Sequence, residues 1–297
     1  MTRRTNRFRF PIRVAVAAMA VLLTACSAET AQRSGETVPT GGSSMSPTGA
    51  PRLSGTLPDD PVRMVLPASG AETRWTQGLD VFVEQVSRTA TASCAREHSI
   101  ALPEQAPLAF IRFLELPDLD FIARHGTSAS AVVPTPAPGP ATARAAAPAE
   151  LRRCGAEGKA AARALRDYYA PLQQQWFSEL VSLRHNPATV RALRTLPDCF
   201  ARHGIRARDE NGFFALADTL MQTAAPSDLP RVERELGLAY ATCMRPVEAV
   251  REPARERLRT SFLTDHAGEI RALRRILVPA LRRAEELHDV RLVFPVP

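Results

Sequence analysis

The chain has 297 residues, 45% of them hydrophobic and 23% charged. That excludes full-length disorder and, with only one short apolar run, a polytopic membrane protein. Its 38 basic residues outnumber 31 acidic ones by seven, but Arg3, Arg4, Arg7, Arg9 and Arg13 all precede the first acid. Without the first 25 residues the balance falls to +2. A near-neutral remainder is no nucleic-acid footprint, so no nucleic-acid partner is predicted.

After the basic stretch comes an unbroken weakly polar run from Val14 to Ala25, 12 residues long. A spanning helix needs about 20, so residues 1–25 read as an export signal peptide rather than a membrane span. The run closes in Leu23-Thr24-Ala25-Cys26, which resembles the lipobox of bacterial lipoproteins. The resemblance implies cleavage before Cys26 and a diacylglyceryl group on its sulfur. Small residues at 24 and 25 admit a peptidase, and a thiol is the nucleophile to be alkylated. A plain secretory signal with an incidental cysteine is the rival reading. Twin-arginine export is disfavoured because Thr5, Asn6 and Arg7 follow the Arg3-Arg4 pair where apolar residues belong. The expected location is the cell membrane, lipid-anchored on the extracytoplasmic face.

Residues 26–74 are rich in Ser, Thr, Gly and Pro and lack a lasting apolar period, the composition of a disordered, flexible tether. Helical spacing then takes over. Leu79, Val83, Val86, Ala90 and Cys94 fall at steps of three or four. A Pro/Ala-rich loop is expected over 127–149, too dense in proline for a helix. Leu165, Tyr169, Leu172, Trp176, Leu180 and Leu183 form a second stripe; Val232, Leu236, Tyr240, Cys243, Val247 and Val250 a third. Ile270, Leu273, Leu277, Leu281, Ala284 and Leu287 close the set, before a tail at 289–297. Pro171, Pro246, Pro253 and Pro279 interrupt these stripes and predict kinks or breaks. No segment alternates with period two, so the body is predicted to be an all-α, disulfide-closed helical bundle.

A weak internal repeat suggests two copies of one helical unit, 75–185 and 186–288. Cys94-x3-His98-Ser99-Ile100 matches Cys199-x3-His203-Gly204-Ile205, and each is followed by a second cysteine, Cys154 or Cys243. Leu-Pro-Asp also recurs at 116–118 and 196–198, each time ahead of Ala-Arg-His-Gly. Three features together, Leu-Thr-Ala-Cys26, the Cys-x3-His-Gly turn at 199–204, and Ala239-Tyr240-Ala241-Thr242-Cys243 leading into a long Arg/Glu-rich helix, resemble uncharacterised actinobacterial exported lipoproteins. The likeness covers the signal and the last 110 residues or so. It implies location and fold style, and no activity.

Setting Cys26 aside leaves four cysteines, an even number for an oxidising compartment, where two disulfides are expected. Three pairings are possible. The repeat favours pairing within units, Cys94–Cys154 and Cys199–Cys243, closing loops worth roughly 4 kcal/mol each in the chain-entropy model. The sharper alternative is a Cys2His2 zinc centre from Cys94/His98 and Cys199/His203, each pair on one helical face at i,i+4. Exported thiols are normally oxidised, so neither metal nor cofactor is expected.

Catalytic signatures are missing. The chain has no His-Glu-x-x-His and no Gly-x-Ser-x-Gly. Its single lysine, Lys159, follows Gly158, but Arg153 and Ala160 occupy the other two key P-loop positions. The acid pairs Asp59-Asp60, Asp209-Glu210 and Glu285-Glu286 read as solvated charge, and the arginines of 251–283 as surface ion pairs with Glu252, Glu256, Asp265 and Glu269. The expectation is a non-catalytic binding module, held to the membrane through Cys26 and meeting an envelope or extracellular protein partner. An envelope enzyme using His98, His203 or Asp209, and a thiol or metal sensor, are the alternatives.

Overall fold

A computed structural model describes residues 52–103, 105, 108, 116–127, 144–145 and 147–296. Within them the chain is helical, as the 3.6-residue spacing requires. It begins with strand β1 (Arg52–Ser54) and a 3-10 turn at Pro61–Met64, which Asp60 caps through Val62 N–H. Helix α1 (Gly70–Glu97) starts where the Ser69 hydroxyl accepts from Glu72 N–H. Helix α2 (Leu119–His125) is capped by Asp118, which Arg74 of α1 also grips. Next come α3 (Pro148–Arg166) and α4 (Ala170–Ser182), separated at Pro171, whose missing N–H suits a first turn. Helices α5 (Pro187–Leu193), α6 (Leu196–Arg202) and α7 (Glu210–Thr223) are short. Helix α8 (Leu229–Asp265) is 37 residues, about 55 Å at 1.5 Å per residue. Helix α9 (Ala267–His288) leads to strand β2 (Phe294–Val296), which pairs antiparallel with β1, Arg52 opposite Val296.

Two apolar clusters share α8. The first gathers residues 62–68, α1, α3, α4, the end of α8, α9 and Phe294 around the fully buried Trp176. The second gathers α2, α6, α7 and the first half of α8, with Phe200, Phe213 and Tyr240 ring to ring at about 5 Å. Both cores lie in one unit.

The predicted stripes are buried largely as spaced, and several boundaries move. The stretch 52–74, expected as the end of the tether, is packed: Val62, Met64, Val65, Leu66 and Ala68 are all buried. They lie on a 3-10 turn and an irregular connection, which carry no 3.6-residue period to betray them. The expected tail at 289–297 is also core, with Val290, Leu292 and Phe294 buried. Pro246, Pro253 and Pro279 do not break the assigned helices, which run on through them. Each lies on the exposed side, and so does the residue four positions earlier whose carbonyl it leaves without a donor. The two sequence units do not pack as separate bodies either, because α2 joins the second core and α9 the first.

The repeat nonetheless has a structural meaning. His98 and His203 cap α1 and α6, and the next residues, Ser99 (φ 52°) and Gly204 (φ 73°), are left-handed. Ile100 N–H donates to Ala95 O at 3.0 Å and Ile205 N–H to Phe200 O at 2.9 Å. Both turns are the same helix-terminating motif, anchored by a buried isoleucine. The Leu-Pro-Asp echo brackets two seven-residue helices, α2 and α6, each followed by a positive-φ glycine, Gly126 or Gly204. Most of the 127–149 loop lies outside the described residues; its end, Pro148, is the first residue of α3.

Candidate functional site

Cys26 lies outside the described residues. The other four cysteines meet in two bridges, Cys94–Cys154 and Cys199–Cys243, with Cα separations of 5.4 and 5.6 Å. Each ties a helix to the later helix it packs on, α1 to α3 and α6 to α8. The first bridge is sealed beside Ala95 and Ile100, both its cysteines being buried. The second differs in its surroundings: Cys243 is buried, Cys199 half-buried, and a ring nitrogen of exposed His203 lies within 4.8 Å of both sulfurs. The Cys2His2 centre weighed from sequence is not assembled, because Cys94 and Cys199 pack in different clusters.

Of the expected enzymatic candidates, His98 and His203 stand at helix C-caps through their backbone N–H groups, which donate to Cys94 O and Phe200 O, and Asp209 accepts from Gly212 N–H at 2.7 Å to start α7. The acid pairs are not plain solvated charge. Asp60 binds Arg274 at 2.7 Å, and that guanidinium holds its carboxyl below the usual carboxylate range. Glu210 accepts from the Tyr240 hydroxyl at 2.5 Å, and burial first, then the Glu210 charge, push that phenol well up. Glu285 is 4% exposed and accepts from Leu292 N–H at 2.9 Å. Leu287, expected in the core, is instead 79% exposed. The left-handed Asp289 turns the chain back, so that Val290 and Leu292 fill the apolar space.

Sequence reasoning missed a buried ion-pair ladder. Arg251, Arg255 and Arg259 repeat every four residues along α8 and all are buried, not surface pairs. Arg255 binds Glu248 and donates to Ala68 O at 2.7 Å. Arg251 reaches Glu248 at 3.3 Å and Glu210 at 3.8 Å. Arg259 binds Glu72 at 2.5 Å and Glu256 at 2.8 Å, while Glu72 also accepts from Ala68 N–H at 2.7 Å. Trp176 completes the clasp, its indole N–H donating to Pro67 O at 2.9 Å. The ladder pins the irregular segment 66–69, whose backbone has no secondary structure of its own to satisfy it. Its legible signals were the Ser69-x-x-Glu72 start signature and three arginines continuing at steps of four from Cys243 and Val247 of the apolar stripe.

Two concavities border this region. A narrow crevice lined by Leu180, Leu183, Arg184, Arg251 and Arg255 has room for little more than a water-sized group. An open groove of about 430 Å³ runs along Pro171, Gln174, Gln175, Ser178, Glu179, Phe262 and His266. Ligand pockets are mostly apolar and enclosed; amides, a hydroxyl and a carboxylate make this one a hydrated surface groove. His266 lies at 4.2 Å on the Phe262 ring where α8 meets α9.

What the fold and its bridges define is a disulfide-closed all-α body. No family model, no curated protein and no solved structure matches the chain.

Proposed function

We propose that the protein is a lipid-anchored envelope lipoprotein, held on the extracytoplasmic face through Cys26, that acts by binding a protein partner rather than by catalysis. The pair of bridges carries this reading. Cys94–Cys154 and Cys199–Cys243 call for an oxidising compartment, and the lipobox-like Leu23-Thr24-Ala25-Cys26 would deliver the chain to one. The binding role is supported by Asp209, whose carboxylate is engaged in starting α7. The test starts with the anchor. Cells fed an alkyne palmitate should label the wild type and leave Cys26→Ala unlabelled; equal labelling overturns the anchor. Cross-linking of the tagged protein in intact cells should then recover one partner reproducibly from the wild type and lose it from Cys26→Ala. A partner recovered equally from both would remove the need for membrane tethering.

A further inference from the structure

We propose that Cys199, Cys243 and His203 form a redox-gated site for a thiophilic divalent cation such as Zn²⁺, shut in the disulfide and opened by dithiol reduction. This goes beyond the binding role above and holds whether or not Cys26 carries lipid. Three observations meet here. Both sulfurs and a His203 ring nitrogen lie within 4.8 Å of one another, and among the described residues this is the one such group of three or more ligands. Ligand atoms of a tetrahedral Cys2His centre stand roughly 3.5–3.8 Å apart, given Zn–S near 2.3 Å and Zn–N near 2.0 Å. Side-chain rotation on α6 and α8 therefore suffices to build it, with Cα atoms 5.6 Å apart.

The site also faces water. Cys199 is half-buried and His203 exposed. That leaves access for a reductant and a fourth coordination position for water. The sister bridge is the internal contrast: Cys94 and Cys154 are 2% and 0% exposed, and His98 does not complete a ligand group with them. Two thiolates and an imidazole select zinc or similar soft and borderline ions over magnesium or calcium.

The chemistry balances with a dithiol as reductant. One of its thiolates attacks a sulfur of the Cys199–Cys243 bond, and its second thiol closes a disulfide on the reductant. Two electrons and two protons pass to the protein, leaving two thiols. The cation then displaces those two protons as both sulfurs coordinate, and the neutral imidazole supplies the third bond.

The experiment uses the purified full chain in detergent, treated under argon with limiting dithiol and then desalted. Differential alkylation should find Cys199 and Cys243 modified while Cys94–Cys154 remains closed. Cobalt(II), the spectroscopic probe, should then bind at one equivalent with thiolate-to-metal charge-transfer and tetrahedral visible bands, and the oxidised protein should bind none. Loss of even an outer-shell partner costs a metal site about 10–100-fold, so His203→Ala should weaken cobalt at least tenfold, with His98→Ala unchanged. Circular dichroism must show the reduced protein still helical. Unfolding on reduction, earlier opening of Cys94–Cys154, no cobalt uptake, or equal affinity in His203→Ala would each overturn the proposal.

Discussion

At the scale of single residues, the buried charges decide the energetics. Asp80 on α1 is half-buried, and burial pushes its carboxyl up to about 6 against an ordinary 3.8, with Arg166 partly opposing. The folded state thus holds this proton more tightly than the unfolded one. Its contribution is therefore most favourable below about pH 4, declines through pH 4–6, and stays low above that. Two pH units correspond to up to about 3 kcal/mol. Asp80→Asn should be more stable than the wild type at pH 7 by up to that amount, with the gap closing toward pH 4. Urea midpoints at several pH values measure it. Asp60, Asp120 and Glu150, held low by Arg274, Arg245 and Arg144, act oppositely and lose stability in acid, so only the difference between the two proteins isolates Asp80. The Glu248 ladder gives a second residue-scale outcome. Glu248→Leu leaves Arg251 and Arg255 buried without their shared carboxylate, which should cost about 3–5 kcal/mol. A loss below about 1 kcal/mol in the same urea assay would mean that water reaches these guanidinia.

At the scale of elements, two glycines set how closely helices cross. A Cβ on Gly158 of α3 would overlap Thr91 Oγ1 and the Ser87 carbonyl of α1. One on Gly237 of α8 would overlap the Ile122 carbonyl and sit 2.7 Å from Gly126 Cα, beside α2. Gly155 and Gly268 have nothing within 4 Å of the same position. Alanine is better than glycine in a helix interior by about 1 kcal/mol. Gly155→Ala, mid-helix in α3, should therefore stabilise by about 0.5–1 kcal/mol, and Gly268→Ala, in the first turn of α9, by less. Gly158→Ala and Gly237→Ala should instead destabilise by about 1–3 kcal/mol, the usual cost of overpacking. Thermal and urea unfolding of the four variants tests the opposite signs. Equal signs for Gly155→Ala and Gly158→Ala would show that α1 and α3 can separate cheaply.

At the scale of the whole molecule, the two ends of the folded body are stitched together. β1 pairs with β2, and Phe294, 2% exposed, packs where a Cβ on Gly78 would have to be. Deleting residues 289–297 removes the buried Val290, Leu292 and Phe294. At about 1.5–3 kcal/mol per large buried apolar side chain, the loss should be on the order of 5 kcal/mol. Thermal unfolding of the truncated chain should show a strongly lowered midpoint and faster proteolysis near residue 52. An unchanged midpoint would return the segment to the status of a tail.

The sequence by itself determined the helical class, most of the buried stripe positions and the cysteine pairing. Those properties follow from local periodicity and from a repeated turn, Cys-x3-His ahead of a left-handed residue and a buried isoleucine. It also marked Pro171 as one of four places for a kink or break, and that one falls in the first turn of α4. Only the tertiary structure decided where the folded body begins and ends. Residues 61–69 and 289–296 carry no amphipathic period, and they are held by distant partners: Arg255, Arg259 and Trp176 at one end, β1 and Glu285 at the other. It also decided that α2 and α9 would exchange between cores. Of the candidate metal site, the i,i+4 pair Cys199/His203 was legible. The repeat also pointed to Cys243 as the partner of Cys199; that the His203 ring stands within 4.8 Å of both sulfurs depends on how α6 lies against α8, which no spacing along the chain encodes.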